Sequence, residues 1–428
     1  MDARVTPPTE ETAQAVALEQ RYAAPNYAPI AAVLERGDDC WLWDVHGRRY
    51  LDFMSAYSAV SHGHAHPRLV RALIEQAQQV AVTSRAYRST TLGPFLQALV
   101  ESADLRAPAR ALPASGGCES VETAIKAVRR WGYRVKGIPA DRAEIVVARG
   151  NFHGRSSTVV GFSTEASYRA DFGPFAPGFR HFDFGDIASL EAAIGDHTCA
   201  VMIEPIQGEA GIIVPPAGFL AAVRRLCDER RVLMVLDEIQ SGLGRTGAMF
   251  AYMHEGIRPD GVIVGKALGG GLLPVSAFVA AAEVLDLLGP GSHGSTFGGN
   301  PLAARVGLES LRVLRDEGLI ERSRELGDHL LRRLQRIDSP YIRAVRGRGL
   351  WAGVELDGSR ICARHVVEHM AEHGVLTKDT HETVIRFAPP LTISREQLDW
   401  GVDVFADVLG HPLPMAGSSP TDRTPLTP

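Results

Sequence analysis

A single lysine stands at the end of an apolar run and is followed by three consecutive glycines. The stretch GVIVGKALGGG places Lys266 directly after a segment with the length and composition of a buried strand. A buried ammonium group is costly unless it is paired or neutral, and glycines at this density weaken regular structure. The pattern therefore indicates that Lys266 has a chemical role.

Two further features resemble parts of a ligand site. VLMVLDEIQ ends another strand-like run with Asp237, and ASGGCESVE places Gly117 and Cys118 at the start of a helix. Free amides at a helix start, with glycines that allow close approach, suit a phosphate group. A lysine, a carboxylate and a phosphate site together match the chemistry of pyridoxal 5'-phosphate (PLP). In this hypothesis Lys266 condenses with the cofactor aldehyde and later shuttles a proton, while Asp237 keeps the pyridine nitrogen protonated.

Apolar segments that alternate with helix-like segments must position these residues. The strand-like runs are apolar throughout and lie at residues 143–150, 199–206, 232–239 and 261–265. Helical spacing of apolar residues marks residues 119–134 and 215–231. Strands that are apolar on both faces indicate an α/β fold with a mostly parallel central sheet, covered by helices on both faces. Ligands of such sheets bind at the carboxyl ends of the strands.

Changes in sequence texture predict four parts of the chain. Residues 56–300 form a large cofactor-binding domain, and residues 301–410 form a smaller α+β domain that begins with two long amphipathic helices. Residues 1–55 pack with the small domain and contain a hairpin-like pattern at residues 41–53. The tail, residues 411–428, is rich in Pro, Ser and Thr and is predicted to be disordered.

The bulk composition excludes several classes of function. With 50 acidic and 45 basic residues the net charge is -5, which gives no sign of a nucleic-acid partner. Apolar runs are too short to span a membrane, and the first residues lack the apolar core of a secretory signal, so we expect a cytoplasmic protein. The five cysteines lack the spacing of a zinc site or a disulfide framework.

A series of segments in fixed order, covering roughly residues 20–410, resembles a known family. It is similar to the class III (ω-amino acid) aminotransferases of PLP fold type I, and within them to the members that use ornithine. The resemblance is carried by LDFMSAYSAVSHGHAHP, TSRAY, GNFHGR, EPIQGEAGIIVPP, DEIQSGLGRTG, GKALGGGLLPVSA, HGSTFGGNPLA and VIRFAPPL.

The resemblance implies a set of cofactor-binding residues and a dimer. Lys266 and Asp237 keep the roles given above, Gln240 lies near the phenolic oxygen of the cofactor, and Phe152 stacks on its ring. The phosphate is bound by the amides of Gly117 and Cys118 and, from the neighbouring subunit, by Ser295 and Thr296. The expected assembly is therefore a homodimer with shared active sites, or a higher oligomer built from it.

The resemblance also implies a substrate-binding set that includes Tyr87. Arg155 and Arg386 are arginines in glycine-rich or apolar surroundings, and a guanidinium suits a carboxylate. In ornithine-using relatives, the counterparts of Tyr57 and Arg155 hold the α-carboxylate of ornithine. Glu209 masks Arg386 until glutamate or 2-oxoglutarate binds. From the residues alone, Glu209 and Arg386 are equally well explained as a structural ion pair.

The predicted reaction moves the δ-amino group of L-ornithine to 2-oxoglutarate. Its products are glutamate and glutamate 5-semialdehyde, which cyclises to pyrroline-5-carboxylate. N-acetylornithine, lysine, 4-aminobutyrate and other diamines are alternative donors. Arg88 near the expected pocket mouth leaves the identity of the donor open. Ser115, Gly116 and Gly117 stand where the family has Asn, then Thr or Ser, then Gly, and the loss of that hydroxyl predicts weaker cofactor binding.

Two other motifs suggest rival functions. GLGRTG, Gly242 to Gly247, satisfies the glycine pattern of an NAD(P) oxidoreductase, but no clean helix and no acidic strand end follow it. His62, His64 and His66 suggest a metal, yet their alternate spacing without matching acidic ligands is weak support, and no metal is predicted.

Overall fold

A computed structural model describes residues 10–30, 32–106 and 108–410. In chain order its helices are α1 (Glu10–Tyr22), α2 (Ser55–Ser58), α3 (Pro67–Ala77), α4 (Leu92–Ala103), α5 (Gly117–Trp131), α6 (Ser157–Gly161), α7 (Ala166–Arg169), α8 (Ile187–Ala193), α9 (Phe219–Arg230), α10 (Ala282–Leu285), α11 (Pro301–Asp316), α12 (Leu319–Gln335), α13 (Ala363–Glu372) and α14 (Arg395–Gly410). Its strands are β1 (Leu34–Asp38), β2 (Trp41–Asp44), β3 (Arg49–Asp52), β4 (Ala109–Ala114), β5 (Glu144–Ala148), β6 (Phe179–Phe182), β7 (Thr198–Ile203), β8 (Leu233–Asp237), β9 (Gly261–Val264), β10 (Ser276–Ala281), β11 (Ile342–Gly347), β12 (Ala352–Leu356), β13 (Val375–Leu376), β14 (Asp379–Thr380) and β15 (Val384–Phe387). The predicted disordered tail, residues 411–428, lies outside the described residues.

The central sheet has seven strands in the order β4-β10-β9-β8-β7-β5-β6. The pairings from β9 through β8, β7 and β5 to β6 are parallel, and only β10 runs antiparallel to its neighbours β9 and β4. Within β8, Leu233 and Val235 join one apolar cluster and Met234 and Leu236 the other, because successive side chains point to opposite faces. Helix α5 covers the first face and α9 the second. The predicted α/β fold with a mostly parallel sheet is confirmed.

Two smaller sheets join distant parts of the chain. The hairpin predicted at residues 41–53 is confirmed as the antiparallel pair β2 and β3, and β13 adds to β3 in parallel. The other sheet has the order β11-β12-β15-β14, and in it Arg386 on β15 pairs with Gly353 on β12. Every helix in the described ranges is too short or too polar to cross a bilayer.

The short helix α2 is a left-handed turn that the sequence did not predict. Ser55, Ala56, Tyr57 and Ser58 have φ angles of 41°, 47°, 58° and 71°. A left-handed helical conformation costs non-glycine residues about 1–2 kcal/mol each. Contacts from the rest of the protein must therefore stabilise this turn, which carries Tyr57.

Two predicted site residues follow neighbouring parallel strands of the central sheet. Strand β8 ends at Asp237, which pairs with Ile263 on β9. Lys266 lies three positions beyond Ile263 and begins a 3-10 turn that ends at Gly269. The carboxyl ends of parallel strands meet at one edge of a sheet, so both residues lie at the edge where ligands bind.

Candidate active site

Lys266 has the chemical environment of a nucleophilic amine. Burial lowers the pKa of its ammonium group to about 8, with Arg386 acting in the same direction. The charges of Glu209, Asp237 and Glu204 oppose this shift, so these carboxylates lie within electrostatic range of the amine. A substantial neutral fraction of Lys266 is therefore present near neutral pH, as attack on a carbonyl requires.

Asp237 is held by a buried histidine. One carboxylate oxygen, Oδ2, lies 2.7 Å from Nδ1 of His153, and the other accepts a hydrogen bond of 3.0 Å from the amide of Ile239. Burial disfavours the charged form of His153, but the hydrogen bond and the charge of Asp237 outweigh it and raise the pKa of the imidazole. These two contacts fix the position of the Asp237 carboxylate.

A second buried carboxylate, Glu204, fixes the surrounding loops. It accepts hydrogen bonds from the amides of Phe152 (2.8 Å) and Gly208 (3.1 Å), and burial raises its pKa to about 7. A Cβ at Gly208 would collide with Oε1 of Gln240, so the loop packs directly on that side chain. Within the described ranges, the buried Nε2 of Gln240 has no hydrogen-bond partner. It is a donor suited to an acceptor on a bound molecule.

The start of α5 forms an open cradle of amides. Glu119 accepts hydrogen bonds from the amides of Ser115 (2.9 Å) and Gly116 (3.4 Å). The next amides, those of Gly117 and Cys118, belong to the first helical turn, where amides have no partner within the helix. A Cβ at Gly116 would meet nothing within 4 Å. Together with the donor on Gln240, this cradle fits the phosphate and ring substituents of PLP.

The predicted pair of Glu209 and Arg386 is present. Nη1 of Arg386 donates to Oε1 of Glu209 over 2.9 Å, and their side chains are 3% and 20% exposed. Burial opposes ionisation of Glu209, but the charges of Arg386 and Lys266 lower its pKa below the usual value. The guanidinium of Arg386 also lies 5.3 Å from the ring centre of Tyr57. In the part of the chain described here, its buried Nη2 has no hydrogen-bond partner, which leaves a donor for a carboxylate.

Arg155 supplies a second guanidinium at the same site. It lies 3.6 Å above the ring centre of Tyr168 and 5.6 Å from that of Phe152. The side chain of Arg155 is exposed, and its stacked face leaves the edges of the guanidinium free to bind a ligand. Tyr168, which sequence reasoning missed, is the aromatic residue beside Arg155, whereas Tyr57 lies beside Arg386.

Three predicted residues lie on exposed segments outside this buried cluster. Tyr87 is 73% exposed, Thr296 is exposed, and Ser295 accepts a hydrogen bond of 3.1 Å from the amide of Gly298. Phe297, next to Thr296, is 55% exposed. Within one chain, these residues lie outside the cluster of side chains around Lys266.

The three histidines of the metal hypothesis have separate protein partners. Nε2 of His62 lies 3.1 Å from the carbonyl oxygen of Ser310. His64 pairs with Asp52 and His66 with Glu317, at 2.8 and 3.1 Å. Across residues 10–30, 32–106 and 108–410, no group of three side chains is arranged to hold a metal ion.

The glycine motif of the oxidoreductase hypothesis forms turns. Residues 242–247 follow β8 but lead into a short 3-10 helix at Ala251–Glu255, so the helix that a dinucleotide site requires does not follow the motif. Its central residue, Arg245, points into the protein and is completely buried.

Comparison with known proteins identifies the family. The model of the family "Aminotransferase class-III" matches residues 22–409. The chain belongs to this family. It is 50% identical over 404 residues to the ornithine aminotransferase of Bordetella pertussis, covering 94% of this chain and 97% of that protein. The expected family is confirmed, and the oxidoreductase alternative is wrong.

Solved structures of similar proteins agree with this family. The ornithine aminotransferase of Toxoplasma gondii, which holds PLP in partial occupancy at its active site, is 40% identical with a TM-score of 0.90, over 93% of this chain and 94% of that one. The acetylornithine aminotransferase of Elizabethkingia anophelis is 41% identical with a TM-score of 0.86, over 94% of this chain and 99% of that one.

Sequence reasoning missed residues whose roles depend on tertiary contacts. His153, Glu204 and Tyr168 lie in or near quoted motifs, but their types alone do not reveal their partners. A histidine next to an aromatic residue is a weak signal. These side chains come together only because β7 pairs with both β5 and β8, which places the loop after β5 beside the ends of β7 and β8.

Proposed function

We propose that the protein is a PLP-dependent ornithine δ-aminotransferase. It transfers the δ-amino group of L-ornithine to 2-oxoglutarate, giving glutamate and glutamate 5-semialdehyde, which cyclises to pyrroline-5-carboxylate. The observation that carries this proposal is the buried pair of Glu209 and Arg386 within electrostatic range of Lys266. The 50% identity to ornithine aminotransferases supports it.

The cofactor site follows from the donors described above. PLP, when bound, supplies a carbonyl carbon that accepts the amino group and a ring that accepts electrons. Asp237, held by His153, would pair with the pyridine nitrogen, and Nε2 of Gln240 would donate to the phenolic oxygen. The remaining contacts would be the ring of Phe152 and the phosphate-binding amides of Gly117 and Cys118.

Lys266 would act both as the attachment point and as the base. Its lowered pKa lets the amine exist in neutral form, so it can take a proton from the carbon that bears the reacting amino group. The resulting ammonium would then return the proton to the carbonyl carbon that the cofactor supplies. The nearby carboxylates Glu204 and Asp237 stabilise that charged form between the two transfers.

The two substrates carry different numbers of carboxylates, which explains why the site contains both Arg155 and Arg386. Ornithine has one carboxylate, remote from its reacting δ-amine, and Arg155 can bind it while Glu209 neutralises Arg386. Glutamate and 2-oxoglutarate have two carboxylates, one of them next to the reacting carbon. Release of Arg386 from Glu209 would then supply the second guanidinium. One pocket thereby accepts both substrates.

The active unit in this proposal is a homodimer in the cytoplasm. Tyr87, Ser295 and Thr296 would reach the active site of the partner subunit. The exposure of Tyr87 and Thr296 supports this, as does the adjacency of the two segments, since the amide of Leu302 donates to the carbonyl of Ala81 over 3.2 Å. Exposed Tyr87 and Phe297 are aromatic residues of the kind enriched at protein interfaces.

A panel of amino donors tests the substrate. With 2-oxoglutarate as acceptor, kcat/KM for ornithine should exceed that for N-acetylornithine, lysine and 4-aminobutyrate by about tenfold or more. N-acetylornithine is the main competitor because of the structural similarity to an acetylornithine aminotransferase. It carries an acetyl group on the α-nitrogen, where ornithine has a free ammonium group. A higher kcat/KM for any competitor would refute the proposed donor.

A further inference from the structure

Arg245 is a completely buried cation, and each of its hydrogen-bond acceptors among the described residues is uncharged. It lies in the GLGRTG motif, and among the described residues no ion pair includes it. Burial lowers the pKa of its guanidinium to about 9, opposed by the charge of Asp52. Burying a charge in this way is unfavourable, and it is retained where the side chain makes specific hydrogen bonds.

The hydrogen bonds of Arg245 reach three separate segments. Nη1 donates to the carbonyl oxygens of Leu350 (2.9 Å) and Pro389 (2.6 Å). Nη2 donates to the hydroxyl oxygens of Ser55 (3.2 Å) and Ser61 (2.9 Å). The planar guanidinium has several donors in fixed directions, so it can hold these four acceptors at once, whereas a lysine ammonium has only three donors.

Two of these segments carry residues of the carboxylate gate, which is the ion pair of Glu209 and Arg386 with Tyr57 beside it. Ser55 begins the left-handed turn that includes Tyr57, and Ser61 in turn donates to the carbonyl oxygen of Ser58 over 2.9 Å. Pro389 follows β15, which carries Arg386. The hydroxyl of Ser55 also donates to the carbonyl oxygen of Ala388 over 2.6 Å.

We propose that Arg245 is a positioning residue that clamps the Tyr57 turn against the end of β15 and so sets the place of Tyr57 beside Arg386. The turn is unfavourable by itself, because its four non-glycine residues are left-handed. The two bonds to serine hydroxyls hold it, and the bond to Pro389 fixes the strand end that it faces. The effect on catalysis rests on the proposed function, whereas the effect on the turn does not.

Three variants of the PLP-loaded enzyme test the clamp. Arg245→Met removes all four bonds with little change in side-chain length. A Ser55→Ala, Ser61→Ala double variant removes the two bonds from Nη2 of Arg245 to the turn, together with the bonds from Ser55 to Ala388 and from Ser61 to Ser58. It serves as the test if Arg245→Met does not fold. Arg224→Met is the control, because Arg224 is another buried arginine, which lies on α9 and pairs with Asp260 and Asp228.

Hydrogen–deuterium exchange measures directly how readily the turn opens. Amides of residues 54–63 should exchange about tenfold faster in both clamp variants, with β8 unchanged, since a local opening becomes easier. In Arg224→Met the same amides should exchange as in wild type. Wild-type exchange at residues 54–63 in both clamp variants would overturn the proposal, as would an equal increase in the control.

Steady-state kinetics then tests the consequence for the gate. KM for 2-oxoglutarate should rise about tenfold in the clamp variants, because a displaced Tyr57 and Arg386 bind the carboxylate poorly. The maximal rate, kcat, should change by less than about threefold, since Lys266 is untouched. An unchanged KM with altered exchange would overturn the link to the gate. A wild-type enzyme that does not use 2-oxoglutarate would instead contradict the proposed function, and the exchange result would still decide the clamp.

Discussion

The cofactor side and the substrate side of the active site are built in different ways. Asp237 and Lys266 follow adjacent parallel strands, and buried partners hold Asp237 in place. Tyr57, Glu209 and Arg386 come from a left-handed turn, a loop and a small separate sheet. The cofactor side is thus fixed by the central sheet, whereas the substrate side depends on contacts between distant segments.

This difference matches the two tasks of the reaction. The cofactor chemistry is the same for every substrate, so a rigid frame at the strand ends serves it. The substrate side must accept molecules with one or two carboxylates and therefore needs an ion pair that can open. Changes to the cofactor side should accordingly affect all substrates, and changes to the substrate side should affect their ratio.

Loss of the lysine should have the largest effect. In Lys266→Ala the amine that transfers the proton is absent, so kcat should fall about 10⁴-fold or more for ornithine and glutamate alike. Turnover by stopped-flow and steady-state assays measures this, and PLP should still bind without a covalent bond. A rate near that of wild type would remove the basis for placing the chemistry at Lys266.

Neutralising Asp237 should produce the next largest effect. Asp237→Asn removes the charge that His153 supports, and kcat should fall about 10²- to 10³-fold with little change in the ratio of ornithine to glutamate use. His153→Asn should cause a smaller decrease in the same direction. If either variant altered the substrate ratio more than kcat, the separation between the two sides would be incorrect.

Opening the ion pair should change selectivity and leave the chemistry intact. Glu209→Ala leaves Arg386 unmasked, so kcat/KM for glutamate as donor should rise about tenfold relative to ornithine. Glu165→Ala provides a control, because Glu165 is another carboxylate near Arg155 but forms no bond to Arg386. Competition assays with both donors give the ratio. Equal ratios in wild type and Glu209→Ala would leave the pair as ordinary structure.

The smallest expected effect is a shift in the pH dependence of covalent PLP attachment to Lys266. The pKa of Lys266 is about 8 in the cofactor-free protein, so half of the amine is neutral at pH 8 and the neutral fraction levels off about one pH unit above that. The rate of covalent PLP attachment, followed by absorbance, should have the same profile. In Glu209→Gln the midpoint should move to lower pH, because the carboxylate that raises this pKa is gone. A midpoint near 10 in the wild type would contradict the lowered pKa.

The sequence predicted the frame better than the details of the site. Runs that are apolar on both faces revealed β7, β8 and β9, and their ends pointed to Asp237 and Lys266. The left-handed turn at Tyr57 was not predictable, because its residues have no glycine to signal positive φ angles. Likewise, the clamp by Arg245 depends on partners 105 to 190 positions away along the chain, which no local pattern can reveal.

Borohydride reduction of the purified holoenzyme, followed by peptide mass spectrometry, tests the central claim most directly. The claim is that one amine, on Lys266, bonds to the cofactor at the end of β9. A yellow protein should lose its colour on reduction and yield a pyridoxyl-modified peptide that contains Lys266. A colourless protein after incubation with PLP, or an adduct on a different lysine, would contradict the account.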